Sequence, residues 1–186
     1  MDSELERLDR GLKQLSKKYK SGTRGYCPVW ALAIRKALGS EARFVIAWYQ
    51  HIPKQPIGTK VTHGESFWIV RDEPPSTNHV GVLYMGHVLD ADGVSTKEDW
   101  KRKWGTPRSQ DPAASFTLRT WIEERESASD EEILGIGEPI GSCPYNLRKF
   151  EEEIRNLVMS TGKMSTASSI SPMSGRRIVR AYRRRR

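Results

Sequence analysis

Cysteine is scarce in this chain: Cys27 and Cys143 are the only two among 186 residues. Two cysteines are too few for a disulfide framework, and these two lack the paired spacing of a zinc site. No run approaches the ~20 apolar residues that a membrane span requires, and residues 1–4 contain no apolar core of a signal peptide. We therefore expect no metal, no cofactor and no membrane partner, and a location in the reducing cytoplasm.

Acidic residues are absent after Glu153, whereas nine basic residues follow it, so the net charge of +8 falls to −1 for residues 1–153. A nearly neutral body weakens the hypothesis of a purely nucleic-acid-binding module. The Ser-, Gly- and Arg-rich residues 161–186 are predicted to be disordered when alone. They are candidates for binding nucleic acid or another acidic surface, the alternative being a soluble tail without a partner. The arginines concerned are Arg176, Arg177, Arg180, Arg183, Arg184, Arg185 and Arg186.

The chain length suits one domain with a substantial core and is short for two. Residues 1–22 are predicted to contain an amphipathic helix that packs on the core of the domain formed by residues 23–160, in preference to binding a partner. Its apolar residues recur at spacings of three and four, at Leu5, Leu8, Leu12, Leu15 and Tyr19.

The most apolar helical run of the chain begins at Cys27. Residues 25–39 predict one helix, with Cys27 as the N-cap, Pro28 at the first helical position and Gly39 as the terminating residue. Backbone N–H groups without partners and the helix macrodipole favour an anion at such a position. Because the thiolate is the nucleophilic form of cysteine, Cys27 is the candidate nucleophile.

The remaining pattern predicts a mixture of strands and helices. Strands are predicted at residues 43–52, 67–70, 79–84, 87–90 and 115–122, a solvated acidic run at 123–132, and helices from the capping box at Ser95 to Gly105 and over 146–160. The predicted fold class is α+β, with the Cys27 helix packed against an antiparallel sheet built from residues 43–122 and helices added at both ends.

One predicted hairpin brings three polar side chains together. If Met85 and Gly86 form a two-residue turn, the ladder puts Asp92 opposite His79, and Asp90 diagonal to it. Side chains alternate between faces with period two, so His79, Asp90 and Asp92 point the same way. A carboxylate bound to one ring nitrogen fixes the tautomer of a histidine and leaves the other nitrogen to accept a thiol proton.

This order, a Cys at a helix start, a His beginning a strand and an Asp on the next strand, resembles the papain-like superfamily in its broad sense, which includes transglutaminase-like and NlpC/P60-like enzymes. The resemblance covers roughly residues 25–104 and implies a papain-like fold with Cys27 as nucleophile, His79 as base and Asp90 as orienting residue, Asp92 being the substitute. It also suggests a bacterial or bacteriophage origin. The matching pattern is His79-Val80-x-Val82-x-x-x-Gly86-x-x-x-Asp90-Ala91-x-Gly93.

The resemblance implies a cysteine hydrolase or acyltransferase that acts on an amide, isopeptide or ester bond of a protein, peptide or other amide substrate. The sequence contains no evident side-chain oxyanion donor before Cys27, which leaves the backbone N–H of Cys27 for that role. An inactive papain-like domain, tethered to nucleic acid or an assembly by its Arg-rich tail, is the alternative. A His–Asp–Cys order ending at Cys143 is the internal rival, but the helix after Cys143 is charged and amphipathic rather than buried.

Overall fold

The computed structural model describes residues 3–19, 26–63, 65–105, 116–136 and 146–161. In these ranges the helices are α1 (Ser3–Tyr19), α2 (Cys27–Leu38), α3 (Lys97–Trp104), α4 (Asp130–Leu134) and α5 (Leu147–Ser160), with a 3-10 turn at Gly39–Glu41. The strands are β1 (Arg43–Pro53), β2 (Lys60–His63), β3 (Ser66–Ile69), β4 (Ser76–Tyr84), β5 (His87–Asp90), β6 (Gly93–Thr96) and β7 (Phe116–Arg125). None of the described helices is long and apolar enough to cross a membrane.

Five strands form one antiparallel sheet in the order β6-β5-β4-β1-β7. The strands β2 and β3 pair only with each other, in a separate two-stranded sheet. The prediction of an α+β fold with an antiparallel sheet is therefore confirmed.

The large sheet is covered on both faces, as the alternation along β1 shows. Phe44 and Ile46 belong to the main core, which also contains the apolar faces of α1, α2 and α5. Val45 and Ala47 point the opposite way and pack with Trp100 of α3 in a second, smaller core. Since neighbouring strand residues face opposite sides, β1 lies between a layer that contains α2 and a layer that contains α3.

The apolar character of α2 follows from its position in the middle of the main core. Its residues from Cys27 to Ile34 are all buried, and Trp30 packs edge-on against Phe150 of α5 with ring centroids 4.8 Å apart. Gly39 terminates the helix with a φ of 78°, a left-handed conformation that glycine adopts without strain.

The predicted start of this helix is wrong by one residue. Tyr26 is the N-cap, and its carbonyl accepts the N–H groups of Val29 and Trp30 at 3.0 and 3.3 Å. Cys27 is therefore the first helical residue and Pro28 the second, where the missing N–H of proline still costs no intrahelical hydrogen bond. Cys27 remains within the first turn, where the macrodipole favours negative charge.

Several other elements differ from the sequence prediction. The cap of α3 is Thr96, whose hydroxyl accepts the N–H of Asp99, rather than Ser95. The acidic run is not wholly solvated, because it continues β7 and then forms α4, where Ile133 is fully buried. The strands β2 and β6 were not predicted. The helix α1 places Leu5, Leu8 and Leu12 in the main core.

The turn between β4 and β5 is as predicted, with His87 paired to Tyr84. Met85 and Gly86 both have positive φ, 48° and 75°, the signature of a type I′ turn. Asparagine adopts this conformation more readily than methionine, so we expect Met85→Asn to raise the free energy of unfolding by roughly 0.5–1 kcal/mol. Urea denaturation measures the change. Met85→Val is the control, and an equal stability of the two variants would contradict this assignment.

Candidate active site

The elements around the core bring Cys27, His79 and Asp90 together. Cys27 begins α2, His79 is the fourth residue of β4 rather than its first, and Asp90 ends β5. The three residues are 8%, 2% and 4% exposed. A His and an Asp buried to this extent require polar partners, because an unpaired charge in a core is strongly destabilising.

Asp90 accepts hydrogen bonds on both carboxylate oxygens. The Nε2 of His79 donates to Oδ2 at 3.0 Å, and the indole Nε1 of Trp100 donates to the same oxygen at 2.9 Å. The backbone N–H of Asp92 donates to Oδ1 at 2.7 Å. Three donors around one buried carboxylate fix its position and stabilise its negative charge.

The extended ladder predicted Asp92 directly opposite His79, and this prediction is wrong. The pairing of β4 with β5 ends at Val82 and Leu89, and after Asp90 the chain turns into β6. The turn directs the Asp92 carboxylate to the surface, where it accepts from the Nζ of Lys103 at 2.7 Å. Asp90, on the diagonal, is therefore the carboxylate that binds the histidine ring.

The tryptophans of α3 hold the imidazole ring of His79. Trp104 stacks on it with ring centroids 3.9 Å apart and planes at 17°, and the ring of Trp100 lies 5.9 Å away. Asn78, the residue before His79, donates from its side chain to the backbone carbonyl of Trp104. Two adjacent residues of β4, Asn78 and His79, thus contact Trp104 at the end of α3.

Gly81 makes room for this arrangement. A Cβ atom at this position would lie 2.7 Å from the side chain of Val88 and 3.2 Å from the Nε1 of Trp100. The glycine in an otherwise bulky strand therefore lets the indole of Trp100, from α3, pass over β4 to reach Asp90. Larger residues here would displace the indole donor, which shares its acceptor oxygen with His79.

Cys27 is the second polar neighbour that affects the imidazole of His79. Burial of the ring lowers the pKa of His79, but hydrogen bonds with Asp90 and with Cys27, together with their negative charges, raise it to about 9. Since Nε2 binds Asp90, Nδ1 is the ring nitrogen that remains for the sulfur. The raised pKa favours a protonated imidazole at neutral pH.

This raised pKa predicts how stability depends on pH. A pKa of about 9 for His79 in the folded protein against 6.5 in the unfolded chain contributes stability that is complete below pH 6.5 and is lost as the pH rises through 9. We expect the free energy of unfolding to fall by about 3 kcal/mol over this window. Urea denaturation at pH 6.5 and 9.5 measures the loss, and His79→Gln should be nearly insensitive. Parallel pH profiles for the two proteins would contradict the raised pKa.

Sequence reasoning missed Trp100 and Trp104 as parts of this site. Their spacing of four residues places them on one face of the short, charged α3, and Gly81 within a strand is a second signal that something approaches closely. Neither signal identifies the partner, because the contacts join residues 10 to 25 positions apart.

Two further histidines lie away from the three residues, and the remaining sequence candidates lie outside the described residues. His51 lies on β1 against Glu73, and the ring of His87 bonds the Met85 carbonyl in the hairpin turn. Within the described part of the chain, no group of His, Cys, Asp or Glu could hold a metal ion. Cys143 and the arginines of residues 176–186 lie outside the described residues.

Comparison with known proteins identifies no relative. No family model, no curated protein and no solved structure matches the chain.

Proposed function

We propose that this chain is a papain-like cysteine hydrolase or acyltransferase, with Cys27 as nucleophile, His79 as general base and Asp90 as the residue that orients His79. The observation that supports it best is the imidazole of His79 hydrogen-bonded to Asp90 through Nε2 and to the thiol at a helix start. A nucleophile, a base and an orienting group in contact are the parts that covalent acyl transfer requires.

In the proposed reaction the proton of the Cys27 thiol already resides on Nδ1 of His79, whose pKa of about 9 keeps the imidazole protonated at neutral pH. The thiolate attacks the carbonyl carbon of an amide, a C–S bond forms, and the C–N bond breaks as the amine leaves with the proton from His79. Water, or an acceptor amine, then attacks the thioester and gives its proton to His79. The acyl group leaves and the thiolate is regenerated, so hydrolysis and transfer differ only in the second nucleophile.

The start of α2 supplies the electrostatic support for this reaction. The Cys27 N–H belongs to the first turn, whose N–H groups have no acceptor within the helix. A carbonyl oxygen that becomes negative during attack by the sulfur would lie near this group and near the positive end of the helix. The backbone thus takes the role for which the sequence offers no side chain.

The test is turnover of a panel of peptide, isopeptide and peptidoglycan-derived amides by the full chain. Release of the amine, with an acyl-enzyme on Cys27 detected by mass spectrometry, supports the proposal. Turnover that persists in Cys27→Ala would assign the chemistry elsewhere. Cys143→Ala serves as the matched control, because it removes the other cysteine.

A second candidate function is a binding domain in which the same three residues form an inactive structural network. The near-complete burial of Cys27, His79 and Asp90 favours it, because a nucleophile must reach its substrate. The two functions differ in thiol reactivity. Failure of small electrophiles to modify Cys27 in the folded protein would support the binding domain.

We propose that residues 161–186 bind nucleic acid or another acidic surface. All of the excess positive charge of the chain follows Glu153, whereas the three candidate residues precede it. Deletion of residues 162–186, which keeps the buried C-cap Thr161 of α5, is expected to abolish salt-sensitive binding to DNA or RNA and to leave Cys27 alkylation unchanged. Binding measured by fluorescence anisotropy across a salt series tests this. An unchanged salt slope after the deletion would place the basic surface on the folded body.

A further inference from the structure

A cleft of about 600 Å³ lies beside the candidate active site. Trp48 of β1 and Thr77 of β4 form part of its wall, and Glu131 and Glu132 of α4 form another part. In the ladder, Trp48 pairs with Thr77, and the preceding residue Ala47 pairs with His79. The cleft therefore begins about 7 Å along β4 from the backbone of the candidate base, whose ring packs on the α3 face of the sheet.

The cleft opens on the same side of the sheet as the thiol. Trp48, and Leu134 and Ile136 in and after α4, pack against the main core to which Cys27 belongs. His79 in turn lies in the strand that forms the cleft wall and contacts the sulfur of Cys27. The cleft and the thiol thus adjoin the same layer of the fold.

The charges around the cleft favour a cationic occupant. Arg125, which also lines it, is neutralised by Glu123 through hydrogen bonds of 2.6 and 3.2 Å. Glu131 and Glu132 form no ion pair with a lysine or arginine among the described residues. The four charged groups therefore leave two negative charges at the cleft.

The uncharged part of the wall suits the stem of a long basic side chain. The indole of Trp48 is fixed by donation from Nε1 to Glu123 at 2.7 Å and by stacking on Trp121. Lysine and arginine bury their methylene groups on apolar surfaces of this kind while the charged head reaches carboxylates. Glu131 and Glu132 would receive that head.

We propose that this cleft is a specificity site for a lysine or arginine side chain of the substrate, next to the amide that Cys27 attacks. The proposal rests on the proposed function and names its substrate class as basic peptides. An acidic side chain would find no counter-charge in the cleft. A purely apolar side chain would leave the two carboxylates unpaired.

The test compares two peptidyl ketone electrophiles that differ only in arginine against citrulline, its uncharged isostere. We expect the arginyl probe to alkylate Cys27 about 10-fold faster, because one charged contact contributes about 1.4 kcal/mol.

In the double variant Glu131→Gln with Glu132→Gln the ratio of the two labelling rates should fall to near one, with iodoacetamide alkylation unchanged. Glu132→Gln keeps the capping box of α4, because the glutamine amide oxygen also accepts the Ser129 N–H, so folding is preserved. Glu98→Gln with Glu152→Gln removes the same charge elsewhere and is the control.

Equilibrium binding separates failure of this proposal from failure of the proposed function. If no electrophile labels Cys27, the proposed function fails, and binding of arginyl and citrullinyl peptides to Cys27→Ala, followed at the Trp48 indole by NMR, still decides the cleft. Equal affinities, or equal labelling rates, overturn the specificity site. Arginyl binding that strengthens about 10-fold on deletion of residues 162–186 would assign the cleft to the chain's own basic arm and overturn it too.

Discussion

Cys27→Ala is expected to lower amide turnover by on the order of 10⁴- to 10⁶-fold, because it removes the proposed nucleophile and leaves only substrate binding and backbone electrostatics. In the unmodified chain, iodoacetamide should alkylate Cys27 below pH 7, since protonated His79 beside it stabilises the thiolate. Alkylation against pH is measured residue by residue by mass spectrometry.

Cys143 is the internal reference for this experiment. It should react only as an ordinary thiol does, at alkaline pH, and Cys143→Ala should leave turnover unchanged. Faster alkylation of Cys143 than of Cys27 would move the nucleophile to the other cysteine. Absence of any Cys27 modification below pH 7 would leave the inactive binding domain as the better interpretation.

Asp90→Asn should reduce turnover by up to about 10⁴-fold, and by much more than Asp92→Asn. The two oxygens of Asp90 accept from His79, Trp100 and the Asp92 N–H, and an amide offers only one oxygen. In either orientation the NH₂ group meets a donor, either the indole of Trp100 or the Asp92 N–H. We therefore also expect a loss of about 1–3 kcal/mol in the free energy of unfolding.

Asp92→Asn is the matched control, since it makes the same chemical change two residues away. The Asp92 side chain is 41% exposed and pairs with Lys103 at the surface, so the loss of stability should not exceed about 1 kcal/mol. Steady-state kinetics and urea denaturation of both variants decide the question. Equal losses of turnover would mean a shared role, and the reverse ranking would make Asp92 the orienting residue.

Local chemistry made part of this fold and site predictable. The turn at Met85 and Gly86 sets the hairpin register, and that register alone placed Asp90 near His79. Similarly, Pro28 and Gly39 marked the ends of α2 to within one residue. These features depend on backbone preferences of a few neighbouring residues, which a sequence displays directly.

The missing parts depend on contacts between distant segments. The choice of Asp90 over Asp92 is set where β5 turns into β6, and the ring of His79 is held by Trp104 from another element. Helix α4 was not predicted, because it consists mostly of charged residues and Ile133 is its one buried residue. No local pattern specifies which tryptophan reaches which carboxylate.

The packing of Trp30 against Phe150 has a consequence for the order in which the candidate site is assembled. All three candidate residues leave the ribosome before α5 does, because residues 27–90 precede residues 147–160. Until α5 emerges, α2 lacks the partner that covers its tryptophan, and the first turn with its thiol has no complete core beneath it. A nascent chain therefore carries Cys27 before it can hold Cys27 in place, and reactivity should arise only late in translation.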